Sequence, residues 1–172
     1  MNEAVFLAIL LGTALVVAAA AVPYLVTAFR RRPTAADKTE VLSPDFSESA
    51  GFRVIHLPDD PIITLQSSWL LHGRIGELIF GIEPRWTAVL RIGRAGSDLE
   101  TAELMQNYEQ RETLKLQGIS VQFFQSPGRA ALLLWRREGF DYALYYPETE
   151  RGLASGLADD FVLGVVTESA AA

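Results

Sequence analysis

Gly118-Ile119-Ser120-Val121-Gln122-Phe123-Phe124-Gln125 is the stretch on which the fold turns. Ile119, Val121 and Phe123 alternate with Ser120 and Gln122, the period of two that sets one face of a strand on a core and the other toward water. Beyond Ser126-Pro127-Gly128 comes a second β-rich run, Ala130 to Arg136, and beyond Glu138-Gly139 a third, Tyr142 to Tyr146. Connections this short join antiparallel neighbours. Working toward the N-terminus, the same pattern predicts strands at Phe52 to Leu57, Ile62 to Gln66, Gly76 to Ile82 and Thr87 to Ile92. Turn-forming clusters at Pro58-Asp59-Asp60-Pro61 and Glu83-Pro84-Arg85 punctuate them. Asp98 to Arg111 fits either a short helix, through Leu99, Ala102, Leu104 and Met105, or an irregular crossing segment.

A sheet with one apolar face needs a cover, and the C-terminal end supplies it. Leu157, Phe161 and Val165 recur at i, i+4 and i+8, joined by Val162 and Val166, with Asp159, Asp160 and Glu168 off the stripe. Ser155 has the chemistry of an N-cap, which would set Asp159 and Asp160 near the first turn, where the helix dipole favours them. The fold class expected is α+β, a mostly antiparallel β-sheet covered by a C-terminal helix, over residues 51–172.

The remainder of the chain has a different character. Ala4 to Phe29 carries no formal charge, and at about 1.5 Å per residue it is long enough for a hydrocarbon core of about 30 Å. With Met1-Asn2-Glu3 before it and Arg30-Arg31-Arg32 after it, it lacks the basic start and cleavage site of a signal peptide. Residues 1–32 are therefore expected to be an N-terminal transmembrane anchor with a basic flank, meeting the lipid bilayer through residues 4–29. The arginines put the soluble part on the cytoplasmic side. Pro33 to Ala50, rich in polar and turn-forming residues, reads as a flexible tether (33–50) in which Val41, Leu42 and Phe46 can dock only locally.

Composition mostly excludes. Of 172 residues, 49% are hydrophobic and 21% charged, which is incompatible with a disordered chain. Fifteen Lys and Arg against 21 Asp and Glu, a net charge of -6, disfavour a nucleic-acid partner. The absence of cysteine removes a thiol nucleophile, disulfides and Cys-ligated metals.

Read in order, Ala50-Gly51-Phe52 with Leu57-Pro58, Ile75-Gly76-Glu77-Leu78-Ile79-Phe80, Leu90-Arg91-Ile92-Gly93-Arg94-Ala95-Gly96-Ser97-Asp98, Leu134-Trp135 and Gly139-Phe140-Asp141-Tyr142-Ala143-Leu144 resemble an uncharacterised bacterial domain family. Its members are membrane-anchored or lipoprotein-like, and some are fused to anti-sigma-factor-type regulators. The resemblance spans Gly51 to Ser169 and brings no catalytic residues with it. It implies a domain outside the cytoplasm, against the arginine flank, and this chain lacks the lipobox cysteine.

Candidate chemistry is sparse. His56 and His72 are the two histidines, with Asp59 and Asp60 near the first. They read as ordinary strand and loop residues, since a metal site needs three or four convergent ligands. No nucleophile elbow, phosphate loop or zinc-protease helix is present, so no catalytic, cofactor or metal residues are assigned and no enzyme is expected. Phe124 and Tyr145 lie opposite their apolar neighbours, where they are either core or a binding surface. Arg91, Arg94, Arg136 and Arg137 read as strand-end charges paired with Asp98 or Glu138. The function these features imply is a membrane-anchored, noncatalytic binding or sensory module that meets a protein or envelope partner through a sheet face or edge. The alternative is a structural accessory subunit acting through its transmembrane helix, with Gly12, Ala14 and Ala18 to Ala21 permitting close helix packing.

Overall fold

A computed structural model of the protein describes residues 38–83, 86–101, 108–125, 131–146 and 153–170. The transmembrane helix expected over 4–29 lies outside the described residues, and among those described no helix is long and apolar enough to cross a membrane.

Eleven strands are described, β1 Lys38–Val41, β2 Asp45–Phe46, β3 Phe52–His56, β4 Ile63–Leu71, β5 Ile75–Ile82, β6 Trp86–Arg94, β7 Gln110–Leu116, β8 Ile119–Gln125, β9 Ala131–Arg137, β10 Phe140–Tyr146 and β11 Val166–Ser169. Eight form one sheet in the order β1-β4-β5-β6-β10-β9-β8-β7, and β11-β3-β2 form a second. Every neighbouring pair is antiparallel. The sheet is two meanders, β4–β6 and β7–β10, joined where β6 meets β10. The β9–β10 hairpin shows how local sequence sets register. Arg137 pairs with Phe140 across Glu138-Gly139, whose φ angles are 51° and 84°, the doubly positive turn that suits the twist of a two-residue hairpin.

The mostly antiparallel sheet is as expected, and the differences have physical causes. β4 runs to Leu71, past the expected end at Gln66, because a bulge between Leu65 and Ser67 breaks the alternation the eye follows. β7 escapes notice because Gln110–Leu116 is largely exposed, an edge strand with little apolar periodicity. The 33–50 segment is not a tether over its described part. Lys38–Val41 pairs with Ser68–Leu71 as an edge strand. Asp45–Phe46 and the one-turn helix Ser47–Ala50 lead into β3, and Phe46 is buried with its ring 5.3 Å from that of Phe52. Among the described residues the folded unit accordingly includes Lys38–Ala50 as well as the chain from Gly51.

One face of the large sheet carries Leu78 and Phe80 of β5, Leu90 and Ile92 of β6, Tyr142 and Leu144 of β10, Leu133 and Trp135 of β9, and Val121 of β8, all buried. The second sheet and the C-terminal helix, Leu153–Gly164, close over it. Leu157, Phe161 and Val162 are buried as the stripe predicts, and Phe161 meets Phe80 edge to face at 5.0 Å. The helix ends at Gly164, however, so Val165, though buried, lies beyond it, and Val166 and Glu168 belong to β11. Ser155 is not the N-cap, because the helix begins two residues earlier, at Leu153. Asp159 and Asp160 therefore sit in its body, and its first turn holds no acidic residue. Burial, then Asp60 and Asp159 nearby, raise the Asp160 carboxyl above its ordinary 3.8.

Three outcomes follow, each read by urea or thermal unfolding. Phe161→Ala costs about 3–5 kcal/mol, the range for emptying an aromatic site in a core. Phe46→Ala is also strongly destabilising, whereas a tether residue would leave the midpoint unchanged. Asp160→Asn raises Tm at pH 7, because it removes a charge the native state disfavours. That gain disappears below pH 3.8, where the carboxyl is protonated in both folded and unfolded chains.

Candidate functional site

The other face of the large sheet is where polar groups collect. Strand alternation gives it Ile75 and Glu77 of β5, Val89 and Arg91 of β6, Asp141, Ala143 and Tyr145 of β10, Leu132, Leu134 and Arg136 of β9, and Ser120, Gln122 and Phe124 of β8. It is not simply the wet face that Ser120 and Gln122 suggest. Leu71, Ile75, Leu99, Phe124, Leu132 and Ala143 make a second buried cluster on it, flanked by Tyr108, Leu134 and Tyr145. Burial, and then Tyr145, push the Tyr108 hydroxyl up to about 12.

Glu77 anchors this face. It is 4% exposed, and a carboxylate that dry must be compensated. Lys38 Nζ donates to Oε1 at 2.5 Å and Arg91 Nε to Oε2 at 2.9 Å. Lys38 also stands 4.6 Å above the Trp69 ring, a cation–π contact. Arg91 then reaches off the sheet, its Nη1 donating to the carbonyls of Leu99 at 3.1 Å and Glu100 at 3.2 Å. The chain from Ser97 to Thr101 thus lies across the sheet, held from below.

Other groups fix the same crossing. A Cβ on Gly93 would come 2.9 Å from the Leu99 side chain and 3.0 Å from that of Ser97, so a larger residue there would have to displace both. Asp141 Oδ2 accepts from the Gly96 N–H at 2.6 Å, while Arg136 donates to both carboxylate oxygens, at 2.6 and 2.9 Å. The Arg136 hydrogen bonds hold the Asp141 carboxyl below its ordinary value, against the burial that would raise it, and the Gly96 N–H adds to the lowering. Asp98 Oδ1 accepts from the Glu100 N–H at 2.8 Å, with Glu100 at φ 58°. The Glu100 carboxylate meets His72 Nε2 at 2.8 Å.

The crossing leaves a hollow on either side. The larger, a cleft of about 490 Å³, runs between Ser97, Asp98 and Thr101 on one wall and Ser120, Gln122, Arg136 and Asp141 on the sheet. The smaller, about 190 Å³, has Glu77, Arg91 and Thr101 at its polar side and Val89, Leu132, Ala143 and Tyr145 around the rest. Hydroxyl, amide and carboxylate groups set on a rigid sheet can orient a polar ligand without reacting with it.

The structure separates residues that the sequence invites one to group. His56 is exposed on β3, its Nδ1 2.8 Å from the Gly164 carbonyl, while His72 sits in the β4–β5 turn with Glu100. Asp60 accepts from the Ile62 N–H at 2.9 Å. Among the described residues no group of three His, Cys, Asp or Glu is placed to share a metal ion. The four arginines form no patch. Arg91 and Arg136 lie on the polar face, with Glu77 and Asp141 as partners in place of the expected Asp98. Arg94 donates to the Gly51 carbonyl at 2.7 Å, and Arg137 pairs with Glu138 as expected and donates to the Leu163 carbonyl. Phe124 and Tyr145 do share the polar face, Phe124 buried and Tyr145 lining the smaller hollow. Of Asp98 to Arg111, residues 102–107 lie outside the described residues, and Ser97–Thr101 is an irregular crossing.

Glu77, Lys38, Asp141 and Gln122 are the site residues that the sequence reading overlooks. The signal for one of them is visible afterward: Glu77 is the lone charge inside the apolar run Ile75–Ile82, opposite in sign to Arg91, the lone charge inside Thr87–Ile92.

No protein family, no curated protein and no solved structure matches the chain.

Asp141→Asn should lower the urea midpoint at pH 7, because it weakens the Arg136 and Gly96 bonds that hold the carboxylate. The native carboxyl titrates below 3.8, so the wild-type advantage is full above that pH and fades as pH falls through the depressed native value. Paired unfolding curves at pH 7 and at acid pH check this.

Proposed function

We propose that the protein is a membrane-anchored, noncatalytic binding or sensory module, held at the bilayer by residues 4–29, that engages a partner protein or envelope component through the cleft beside the Ser97–Thr101 crossing. The observation that carries the reading is that cleft. At about 490 Å³ it is within the ordinary size range of ligand sites, roughly 300–1,000 Å³. Its two walls are fixed, one by β8–β10 register and the other by Asp141 and Arg91. Its charged pair, Arg136 and Asp141, is internally matched. That leaves Ser97, Ser120 and Gln122 as groups that present hydrogen-bonding chemistry to an occupant.

The uncharged run at Ala4 to Phe29 and the order of short motifs from Gly51 to Ser169 support the anchored part of the reading. The arginine flank favours a cytoplasmic domain, and the family resemblance favours one in the envelope. Ser169 is exposed at the end of β11. In this cysteine-free chain, Ser169→Cys with an impermeant maleimide therefore assigns the side directly.

The test uses the full chain in its own membrane. A photo-reactive residue in place of Gln122 should give one discrete crosslinked product, while the same residue in place of Thr64, exposed on β4, should give none. The chain should also remain in the membrane fraction after carbonate extraction. Equal products from both positions, or release of the chain by carbonate, would contradict the reading.

A further inference from the structure

We propose that the smaller hollow, bounded by Arg91, Glu77, Tyr145, Leu132, Ala143 and Val89, is a binding site for a small monocarboxylate with a short apolar tail. This assigns a ligand class within the proposed binding role and rests on that role only in so far as the chain binds rather than reacts. It requires neither the membrane anchor nor the partner cleft.

Size is the first constraint. The hollow is about 190 Å³, above the roughly 150 Å³ that admits a benzene and below the roughly 300 Å³ at which drug-sized sites begin. Its occupant is a molecule the size of pentanoate or benzoate.

Charge is the second. Each oxygen of Glu77 has a cationic partner, Lys38 on one and Arg91 on the other. Two cations therefore face one carboxylate, and among the described residues the Glu100 carboxylate on the crossing is turned to His72. A surplus positive charge at the edge of a partly dry hollow favours an anion.

Donor geometry is the third. Arg91 commits Nε to Glu77 and Nη1 to the two carbonyls of the crossing, and Nη2 has no partner among the described residues. A guanidinium fixed on two of its nitrogens is preorganised, so a carboxylate on the third loses little side-chain entropy. Val89, Leu132, Ala143 and the Tyr145 ring then supply an apolar lining for the tail.

The experiment titrates pentanoate, its neutral amide and butylammonium into the full chain in lipid nanodiscs, with empty nanodiscs as the reference for partitioning. Binding is read by saturation-transfer NMR on the ligand and by the ¹⁵N resonance of Arg91 Nε. Pentanoate should bind and move the Arg91 resonance. The amide should bind about tenfold more weakly or worse, the loss of one hydrogen bond to a charged group, and butylammonium should not bind. Ala143→Leu, which fills the hollow while leaving Arg91 in place, should abolish the pentanoate signal. Should that variant fail to fold, the Arg91 resonance and the acid-to-amide ratio in the unaltered chain decide alone. Equal binding of acid and amide, an unmoved Arg91 resonance, or pentanoate binding that survives in folded Ala143→Leu would overturn the proposal. Failure of the Gln122 crosslink would leave these readouts untouched, so the two readings fail separately.

Discussion

The burial of Glu77 is the constraint on which the polar face depends. A carboxylate at 4% exposure in the middle of a strand has lost nearly all its water, and the cost is several kcal/mol unless charged donors replace that water. Replacement comes from two directions, Lys38 on the edge strand β1 and Arg91 on the neighbouring strand β6. One acidic side chain thereby ties the beginning of the folded unit to its interior. Because Arg91 spends its remaining reach on the carbonyls of Leu99 and Glu100, the same ion pair also seats the crossing chain that walls both hollows. Such networks contribute little net stability against an apolar equivalent, yet removing one member strands the others. Their effect is to specify one arrangement of β1, β5, β6 and the crossing.

The two faces of the sheet are built by different rules. The face under the C-terminal helix is closed mainly by apolar contact, with Phe80, Phe161, Phe52 and Phe140 in ring contacts of about 5.0 to 5.5 Å. Over the other face runs the irregular segment Ser97–Thr101, in which Leu99 is the one buried apolar residue among the described ones. It therefore needs directed bonds from Arg91, Asp141 and Asp98 to stay down. A cover held by hydrogen bonds along a narrow line leaves space to each side of it, and that is why cavities appear on this face.

The order of legibility follows from periodicity. β3, β5, β6, β8, β9 and β10 each carry buried residues at regular spacing and can be read directly from the sequence, as can the helical stripe Leu157, Phe161 and Val162. β1 and β7 are edge strands whose side chains mostly face solvent, so alternation does not mark them. Phe46 looked like an isolated apolar residue in polar sequence because its partners, Phe52 and the core, come from elsewhere in the chain. Of the candidate site, Arg91, Arg136 and Tyr145 could be picked out as residues but not paired correctly. Arg91 meets Glu77 across a strand pair, and Arg136 meets Asp141 across a hairpin. Those meetings are properties of register, which hydrophobic pattern sets only to within the choice of partner strand.

The crossing chain gives the two hollows a common wall, since Thr101 lines both. Any displacement of Ser97–Thr101 relative to β6 and β10 alters both volumes together. The groups that resist such displacement are Arg91, on the side of the smaller hollow, and Asp141, on the side of the larger. Each is at once a wall fastener and a lining residue of the space beside it. A ligand that draws on Arg91 therefore acts on the same atoms that position the wall of the larger cleft. That shared fastening, through one guanidinium and two carbonyls, is the physical link between the shapes of the two hollows on either side of the crossing.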